Sequence, residues 1–257
     1  MLKQWRKAAV AVFIMFEILW FMLYHAGVFS ADKDVAKNIG FIAILVCFIF
    51  CSGCFVLGKN RSRSDILLCI ALFFTCIADI FLVVLRGEGF YAEIGVLFFV
   101  VVQAVYFVKI HFFMGHRDRL RKARFSEVQI SLCARIIMYL AAAGLAFFML
   151  WGSPLLSEST ALILISLFYF ANSAVNIIFA VCKFSNNPLI ALGLVLLLIC
   201  DLTLTLVFVG INIRIGILSN IHVQWLFYMP SQALLALAIL PCFQRQNRPN
   251  QDELVLD

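Results

Sequence analysis

The stretch "ILLCIALFFTCIADIFLVVL", Ile66–Leu85, is an almost unbroken apolar run that contains a single carboxylate, Asp79. A helix crosses the hydrocarbon core of a bilayer with about 20 predominantly apolar residues, so this run has the length of a transmembrane helix. No basic residue in the run can neutralise Asp79. A carboxylate at that depth is costly unless it faces the interior of a helix bundle. The stretch therefore predicts a membrane-embedded bundle with Asp79 on an inward face.

The composition of the whole chain agrees with a membrane location. Of its 257 residues, 64% are hydrophobic and 13% are charged, and the mean hydropathy is +1.04. A soluble domain is typically about half apolar and a quarter charged, so a water-soluble globule of this composition would leave much apolar surface uncovered. We therefore expect an all-α polytopic membrane protein.

Eight segments have the length and apolarity of transmembrane helices. They are Ala8–Phe29, Ile39–Leu57, Ile66–Leu85, Glu93–Phe113, Leu132–Trp151, Ala161–Val181, Pro188–Ile211 and His222–Phe243. We interpret the first segment as a retained span, because it is too long for a signal peptide and no small-residue cleavage site follows it. Residues 1–243 are predicted to form one transmembrane domain, and residues 244–257 a disordered cytoplasmic tail.

Lys and Arg residues are concentrated in alternate loops. One set of loops contains most of them, including the run "RDRLRKAR" at Arg117–Arg124, whereas the opposite loops hold only Lys33, Lys37, Arg86 and Arg214. Because cytoplasmic loops are enriched in Lys and Arg, both termini are predicted to be cytoplasmic. The predicted location is a bacterial plasma membrane. The basic loop lies between two spans, so we expect it to contact membrane lipids and not a nucleic acid.

A second aspartate, Asp201, lies within "LLLICDLTLTLV", Leu196–Val207, and its surroundings match those of Asp79. Each aspartate is followed, after the same number of residues, by a tyrosine in the next segment: Tyr106 follows Asp79, and Tyr228 follows Asp201. Those next segments also carry one glutamine each, namely Gln103 and Gln232. We interpret the chain as two possible parallel repeats of four helices.

Polar side chains inside apolar segments are the candidate site residues. Intramembrane carboxylates usually mark functional sites, so Asp79 and Asp201 are the candidate catalytic pair. The candidate substrate-binding residues lie at similar depth and are Gln103, Tyr106, Asn172, Asn176, Tyr228 and Gln232. The structural alternative is that these side chains make ordinary interhelical hydrogen bonds, which we favour for the asparagines. Pro230 favours a site beside Tyr228, because a proline inside a helix frees a backbone carbonyl.

The sequence contains no pattern that indicates a metal or cofactor. Its nine cysteines lie mostly within apolar segments and show no metal-ligand spacing with histidine. Cys51 and Cys54 form a C-x-x-C inside the second segment, where we expect two small packing residues and not a redox pair. The sequence also lacks a G-x-S-x-G elbow and a phosphate-binding loop. We expect no metal and no cofactor.

Four stretches carry a resemblance to a known family. They are "LFFTCIADIFLVV" (Leu72–Val84), "GVLFFVVVQAVYFVKIH" (Gly95–His111), "NPLIALGLVLLLICDLTLTL" (Asn187–Leu206) and "WLFYMPSQALLALAIL" (Trp225–Leu240). Together they resemble the YhhN-like membrane family, whose characterised members are lysoplasmalogenases with about eight spans and two intramembrane aspartates. Ala78 and Cys200 stand where the family usually has Gly and Ser, and "QAVY" replaces its His-Tyr-like pair, which is typical of a divergent member.

The resemblance implies hydrolysis of the vinyl ether bond of a lysoplasmalogen, a lysophospholipid, to a fatty aldehyde and a glycerophospho-base. Protonation of a vinyl ether at carbon gives an oxocarbenium-like cation, which water then attacks, and such chemistry suits an acid paired with a carboxylate. One of Asp79 and Asp201 would be the acid, and the other would stabilise the cation or activate water.

Two other functions remain open from the residues alone. Two intramembrane carboxylates in a parallel repeat are also typical of a cation- or proton-coupled transporter. The lack of Gly or Pro beside either aspartate argues mildly against transport. The third possibility is a non-catalytic membrane protein in which the aspartates only hold helices together.

Overall fold

In a computed structural model, the described residues are 2–26, 33–58, 62–85, 89–114, 121–152, 160–208 and 220–240. They form eight α-helices: α1 Leu2–His25, α2 Lys33–Val56, α3 Arg63–Asp79, α4 Gly89–Val108, α5 Arg121–Gly152, α6 Thr160–Cys182, α7 Pro188–Phe208 and α8 Asn220–Leu237. Two short π-helices continue α3 and α4 without a break, at Ile80–Val84 and Lys109–Phe113. These residues contain no strand, which confirms the predicted all-α class.

Six of the described helices are long and apolar enough to cross a membrane. They are Lys7–His25, Asn38–Val56, Arg63–Val84, Phe90–Phe113, Ser126–Gly144 and Leu164–Cys182. Helix α7 adds a shorter apolar helix at Pro188–Thr203. The chain is therefore an integral membrane protein, as its composition predicts. The predicted tail at residues 244–257 lies outside the described residues.

Helix α5 begins well before the fifth predicted segment. The apolar run predicts a start at Leu132, whereas the helix begins at Arg121. Arg, Lys and Ala have high helix propensity, so the helix continues through polar residues that the apolar pattern excludes. The hydrophobic pattern marks the part that can lie in lipid, and the backbone extends beyond it.

The most extensive helix contacts are between α3 and α4 and between α7 and α8. Each of these pairs packs closely at a glycine. A Cβ atom added to Gly95 would lie 2.5 Å from Cγ of Leu82, in the π-helix that continues α3, and 3.1 Å from the carbonyl oxygen of Ala78 in α3. One added to Gly193 would lie 2.7 Å from Leu235 Cγ. Overpacking of this kind is destabilising, so glycine permits the close approach.

The two proposed repeats share one core. Helix α8 packs against α2 and α3 as well as α7, and α6 packs against both α4 and α7. Helices α1 and α8 also line an apolar groove of about 360 Å³, which includes Glu17 and Pro230. Helix α8 continues through Pro230. This arrangement brings polar residues from distant parts of the sequence to the same helix interfaces.

Candidate functional site

Asp79 lies at the end of α3 and is almost completely buried, with 2% of its surface exposed. Its Oδ2 accepts a hydrogen bond of 2.7 Å from the hydroxyl of Tyr228 in α8. Helices α3 and α8 pack against each other, which makes this contact possible although the two residues are far apart in the chain. The structure therefore joins the first predicted aspartate to one predicted tyrosine.

Asp201 lies in α7 and is partly buried. Its Oδ2 accepts a hydrogen bond of 2.5 Å from the hydroxyl of Tyr169 in α6. The carboxyl groups of Asp201 and Asp79 are close enough to interact electrostatically, and the buried thiol of Cys200 interacts with both. The two predicted catalytic residues therefore belong to one cluster, which we call the aspartate cluster: Asp79, Asp201, Tyr169, Tyr228 and Cys200.

The backbone changes its helical form directly after Asp79. The α-helix ends at this residue, and the π-helix Ile80–Val84 follows. The amide of Leu85 donates a hydrogen bond of 2.8 Å to the carbonyl oxygen of Ile80, five residues earlier, as is typical of a π-helix. Short π-helical segments occur frequently at functional sites. No Gly or Pro marks this change, so the sequence pattern does not reveal it.

Tyr106 and Gln232 make no side-chain hydrogen bond to either aspartate. Tyr106 is fully buried in α4, interacts with Cys51 of α2, and has no hydrogen-bond partner for its hydroxyl among the described residues. Gln232 is buried in α8, and neither its Oε1 nor its Nε2 has a partner among those residues. Gln232 follows Tyr228 by one helical turn, so both project from one side of α8.

The remaining predicted residues meet around a buried arginine that the site prediction omits. Arg135 of α5 donates from Nη1 to Asn172 Oδ1 and from Nη2 to Asn176 Oδ1, the latter at 2.6 Å. Asn176 Nδ2 in turn donates to the Oε1 of Gln103 at 2.8 Å. The guanidinium carbon of Arg135 lies 4.6 Å from the centre of the Phe107 ring. We call Arg135, Asn172, Asn176 and Gln103 the arginine cluster.

The site prediction missed Arg135 and Tyr169, and only Arg135 has a recognisable signal in the sequence. Arg135 belongs to a series of polar residues at intervals of four within α5, namely Glu127, Ser131, Arg135 and Tyr139. Residues four apart lie on one face of a helix, so this series predicts a polar face on an otherwise apolar span. Tyr169 has no such signal, because a single tyrosine in an apolar segment is also typical of a packed core.

An ion cluster lies about two helical turns before Arg135, where α5 meets the π-helix that continues α4 and the residue that follows α6. Glu127 Oε1 is 3.0 Å from His111 Nδ1 and also pairs with Lys183. Lys183 Nζ donates to the carbonyl of Ile110 at 2.7 Å. Lys183 therefore balances the charge of Glu127.

The described residues contain no group of His, Cys, Asp and Glu side chains that could hold a metal ion. Cys51 and Cys54 are both free cysteines. The Sγ of Cys51 lies 3.6 Å from that of Cys69 in α3, so Cys51 packs across a helix interface. The arrangement can supply two carboxyl groups, two phenol hydroxyls and one guanidinium to a reaction or a ligand.

Comparisons of this chain with protein families, with curated proteins and with solved structures find no match. The geometry of the aspartate cluster and of the arginine cluster is therefore the basis for assigning a function. Both clusters lie at helix interfaces of an integral membrane bundle.

Proposed function

We propose that this chain is a membrane-embedded hydrolase that cleaves the vinyl ether bond of lysoplasmalogens. The observation that carries the proposal is the aspartate cluster, in which Asp79 and Asp201 approach from different helices and each accepts a tyrosine hydroxyl. We further propose that both termini lie in the cytoplasm, on the basis of the loop charges, and that the membrane is a bacterial plasma membrane.

The proposed reaction begins with proton transfer from one carboxylic acid to the vinyl ether, at the alkene carbon that is not bonded to oxygen. The resulting oxocarbenium ion accepts a water molecule, whose proton passes to the other carboxylate. The hemiacetal then collapses to a fatty aldehyde and the free hydroxyl of the glycerophospho-base. The sum of these steps consumes one water molecule and requires no oxidant, reductant or cofactor.

The surroundings of the two carboxyl groups support an acid role for one of them and a base role for the other. The hydroxyls of Tyr228 and Tyr169 each donate a hydrogen bond to one oxygen of an aspartate, which restricts the orientation of that carboxyl group. A cluster in a low-dielectric interior interacts more strongly with a developing cation than the same groups would in water. Glycosidases use paired carboxyl groups on a similar cation.

The test is aldehyde release by the purified full-length chain in a neutral detergent. The substrates are a 1-alkenyl lysophospholipid and the 1-acyl lysophospholipid with the same headgroup. We expect aldehyde from the alkenyl lipid, no fatty acid from the acyl lipid, and loss of the reaction in D79N. A folded protein that releases no aldehyde, or a D79N variant with full activity, would contradict the proposal.

A second candidate function is cation- or proton-coupled transport. The π-helix that follows Asp79 favours it, because irregular helices beside intramembrane carboxylates are typical of ion-coupled transporters. Proton uptake into liposomes that contain the protein separates the two functions. Uptake that requires Asp79, without aldehyde release, would favour transport.

A further inference from the structure

Helix α5 presents its polar face to the protein and its apolar face to the surroundings. Ser131 and Arg135 are buried, with 0% and 5% of their surfaces exposed, whereas Ile137 and Leu140 are 66% and 68% exposed. In a membrane, this orientation removes the polar face from lipid. It also brings a guanidinium into the interior of the bundle.

The positive charge of Arg135 is not balanced by a carboxylate among the described residues. Its hydrogen-bond partners are neutral: the amides of Asn172 and Asn176 and the phenol of Tyr139. The nearby carboxylate of Glu127 is already paired with Lys183. A buried cation with neutral partners is costly, and a bound anion would offset that cost.

Hydrogen-bond donors remain available beside this charge. A guanidinium has five N–H groups in a planar fork. The Nε of Arg135 and the hydroxyl of Ser131 are buried and have no partner among the described residues. Ser131 precedes Arg135 by one helical turn, so both groups lie on one face of α5. Arginine with additional donors is a typical phosphate ligand, because its fork matches two phosphate oxygens.

Helix α6 connects this charge to the aspartate cluster. Tyr169 donates to Asp201, and Asn172 and Asn176 accept from Arg135. These three residues are spaced by three and four positions and therefore share a face of α6. At 1.5 Å per residue, the asparagines lie about 5 and 10 Å along the helix axis from Tyr169. The three carbons of a glycerol unit separate the sn-1 ether of a lysophospholipid from its phosphate by a comparable length.

We infer that Arg135 and Ser131 bind the phosphate group of the single-chain lipid whose sn-1 bond lies at the aspartate cluster, while the two asparagines orient the guanidinium. This inference rests on the proposed function and adds the recognition of the substrate headgroup to it. Arg135 is then a binding residue, and a bound phosphate supplies the negative charge that the protein itself does not place beside it.

The binding experiment uses lipids that the proposed reaction cannot cleave. Calorimetric titration of the full chain in neutral detergent compares a saturated 1-alkyl lysophospholipid with the corresponding 1-alkylglycerol and with inorganic phosphate. We expect the phosphorylated lipid to bind at least about tenfold more tightly than either other probe, since it alone combines a chain with the anion. Equal binding of the alkylglycerol would contradict a phosphate site, and equal binding of inorganic phosphate would contradict a lipid headgroup site.

The N172D variant separates ligand binding from a purely structural role of Arg135. It places a carboxylate on the guanidinium while keeping an oxygen acceptor at the same position. We expect phosphate-lipid binding to weaken by about tenfold or more, with no decrease in melting temperature, because the new charge competes with the phosphate. The control is N38D, which makes the same charge change at an exposed position of α2.

The R135Q variant gives the same comparison by removal of the charge, with R63Q at an exposed position of α3 as its control. We expect R135Q to lose phosphate selectivity and R63Q to keep it.

Wild-type affinity in a folded N172D variant would overturn the inference. Because the 1-alkyl lipid has no vinyl ether, binding without any aldehyde release from the alkenyl lipid would refute the proposed function alone. Aldehyde release without phosphate selectivity would refute this inference alone.

Discussion

The surroundings of Asp79 and Asp201 differ more than their sequences do. Both aspartates lie in apolar runs and are followed by a tyrosine at the same spacing. Asp79 is buried and hydrogen-bonded to Tyr228 of the other proposed repeat, whereas Asp201 is partly buried and hydrogen-bonded to Tyr169. The symmetric partner of Asp201 would have been Tyr106.

The difference arises from which helices are neighbours. Helix α8 packs against α3 and therefore carries Tyr228 to Asp79. Helix α6 packs against both α4 and α7, and it supplies Tyr169 to Asp201. Tyr106 of α4 instead interacts with Cys51 of α2. A repeat in sequence therefore does not guarantee a repeat in contacts, because each half packs against different neighbours.

The largest expected effect comes from removal of either carboxylate. We expect D79N and D201N each to lower the rate of aldehyde release by roughly 10²–10⁴-fold, since acid–base groups typically contribute that much. The double variant should be little worse than the slower single variant, because residues that act as a unit are not additive. Single-turnover assays of all three variants provide the measurement.

The matched control for these variants is E17Q, which converts another buried carboxylate of a membrane span to an amide. Glu17 accepts a hydrogen bond from Cys47, at the interface of α1 and α2. We expect E17Q to keep the wild-type rate. If one aspartate variant retained full activity in a folded protein, the two aspartates would not share the reaction.

Variants of the tyrosines test whether Asp79 and Asp201 depend on different hydrogen-bond donors. We expect Y228F and Y169F each to lower kcat by about ten- to a hundredfold, since a hydrogen bond to a charged group contributes roughly 1.5–3 kcal/mol. Y106F should have a clearly smaller effect, because the hydroxyl of Tyr106 makes no hydrogen bond to either aspartate. Rates are measured at saturating alkenyl lipid, with melting temperature as the check on folding.

A result in which Y106F is as slow as Y228F would indicate that the repeats act symmetrically in the reaction. Tyr169 would then be a packing residue, and Y169F would retain its activity. The order of the three rates therefore decides between a symmetric and an asymmetric site.

The smallest expected effect is a loss of stability in the helix pairs that carry the aspartates, α3–α4 and α7–α8. We expect G95A and G193A each to lower stability by about 1 kcal/mol or somewhat more, because the added methyl group overpacks a close helix contact. The G53A variant of α2 is the control, since no atom lies within 4 Å of a Cβ atom at that position. Thermal unfolding in detergent provides the measurement, and a G95A protein as stable as G53A would show that the α3–α4 pair can relax.

Much of the architecture could be predicted because apolarity is a local property of the chain. The runs around Asp79 and Asp201 are long enough to mark spans, and their carboxylates had to face inward. The π-helix after Asp79 could not be predicted, since Ile, Phe, Leu and Val are equally compatible with an ordinary α-helix. Arg135 was identifiable as an intramembrane charge, and its four-residue spacing from Ser131 and Tyr139 was a usable signal.

The amino-acid sequence by itself determined the all-α membrane class and the inward placement of two carboxylates. It also determined which polar residues lie within apolar segments. These follow from the cost of exposing polar groups to hydrocarbon, which depends on residue type and segment length. Only the tertiary structure decided that Tyr169 holds Asp201, that Tyr106 does not, and that Arg135 joins Asn172 and Asn176. Such pairings depend on which helices are neighbours and how each is rotated, and many arrangements of eight apolar helices satisfy the same hydrophobic pattern.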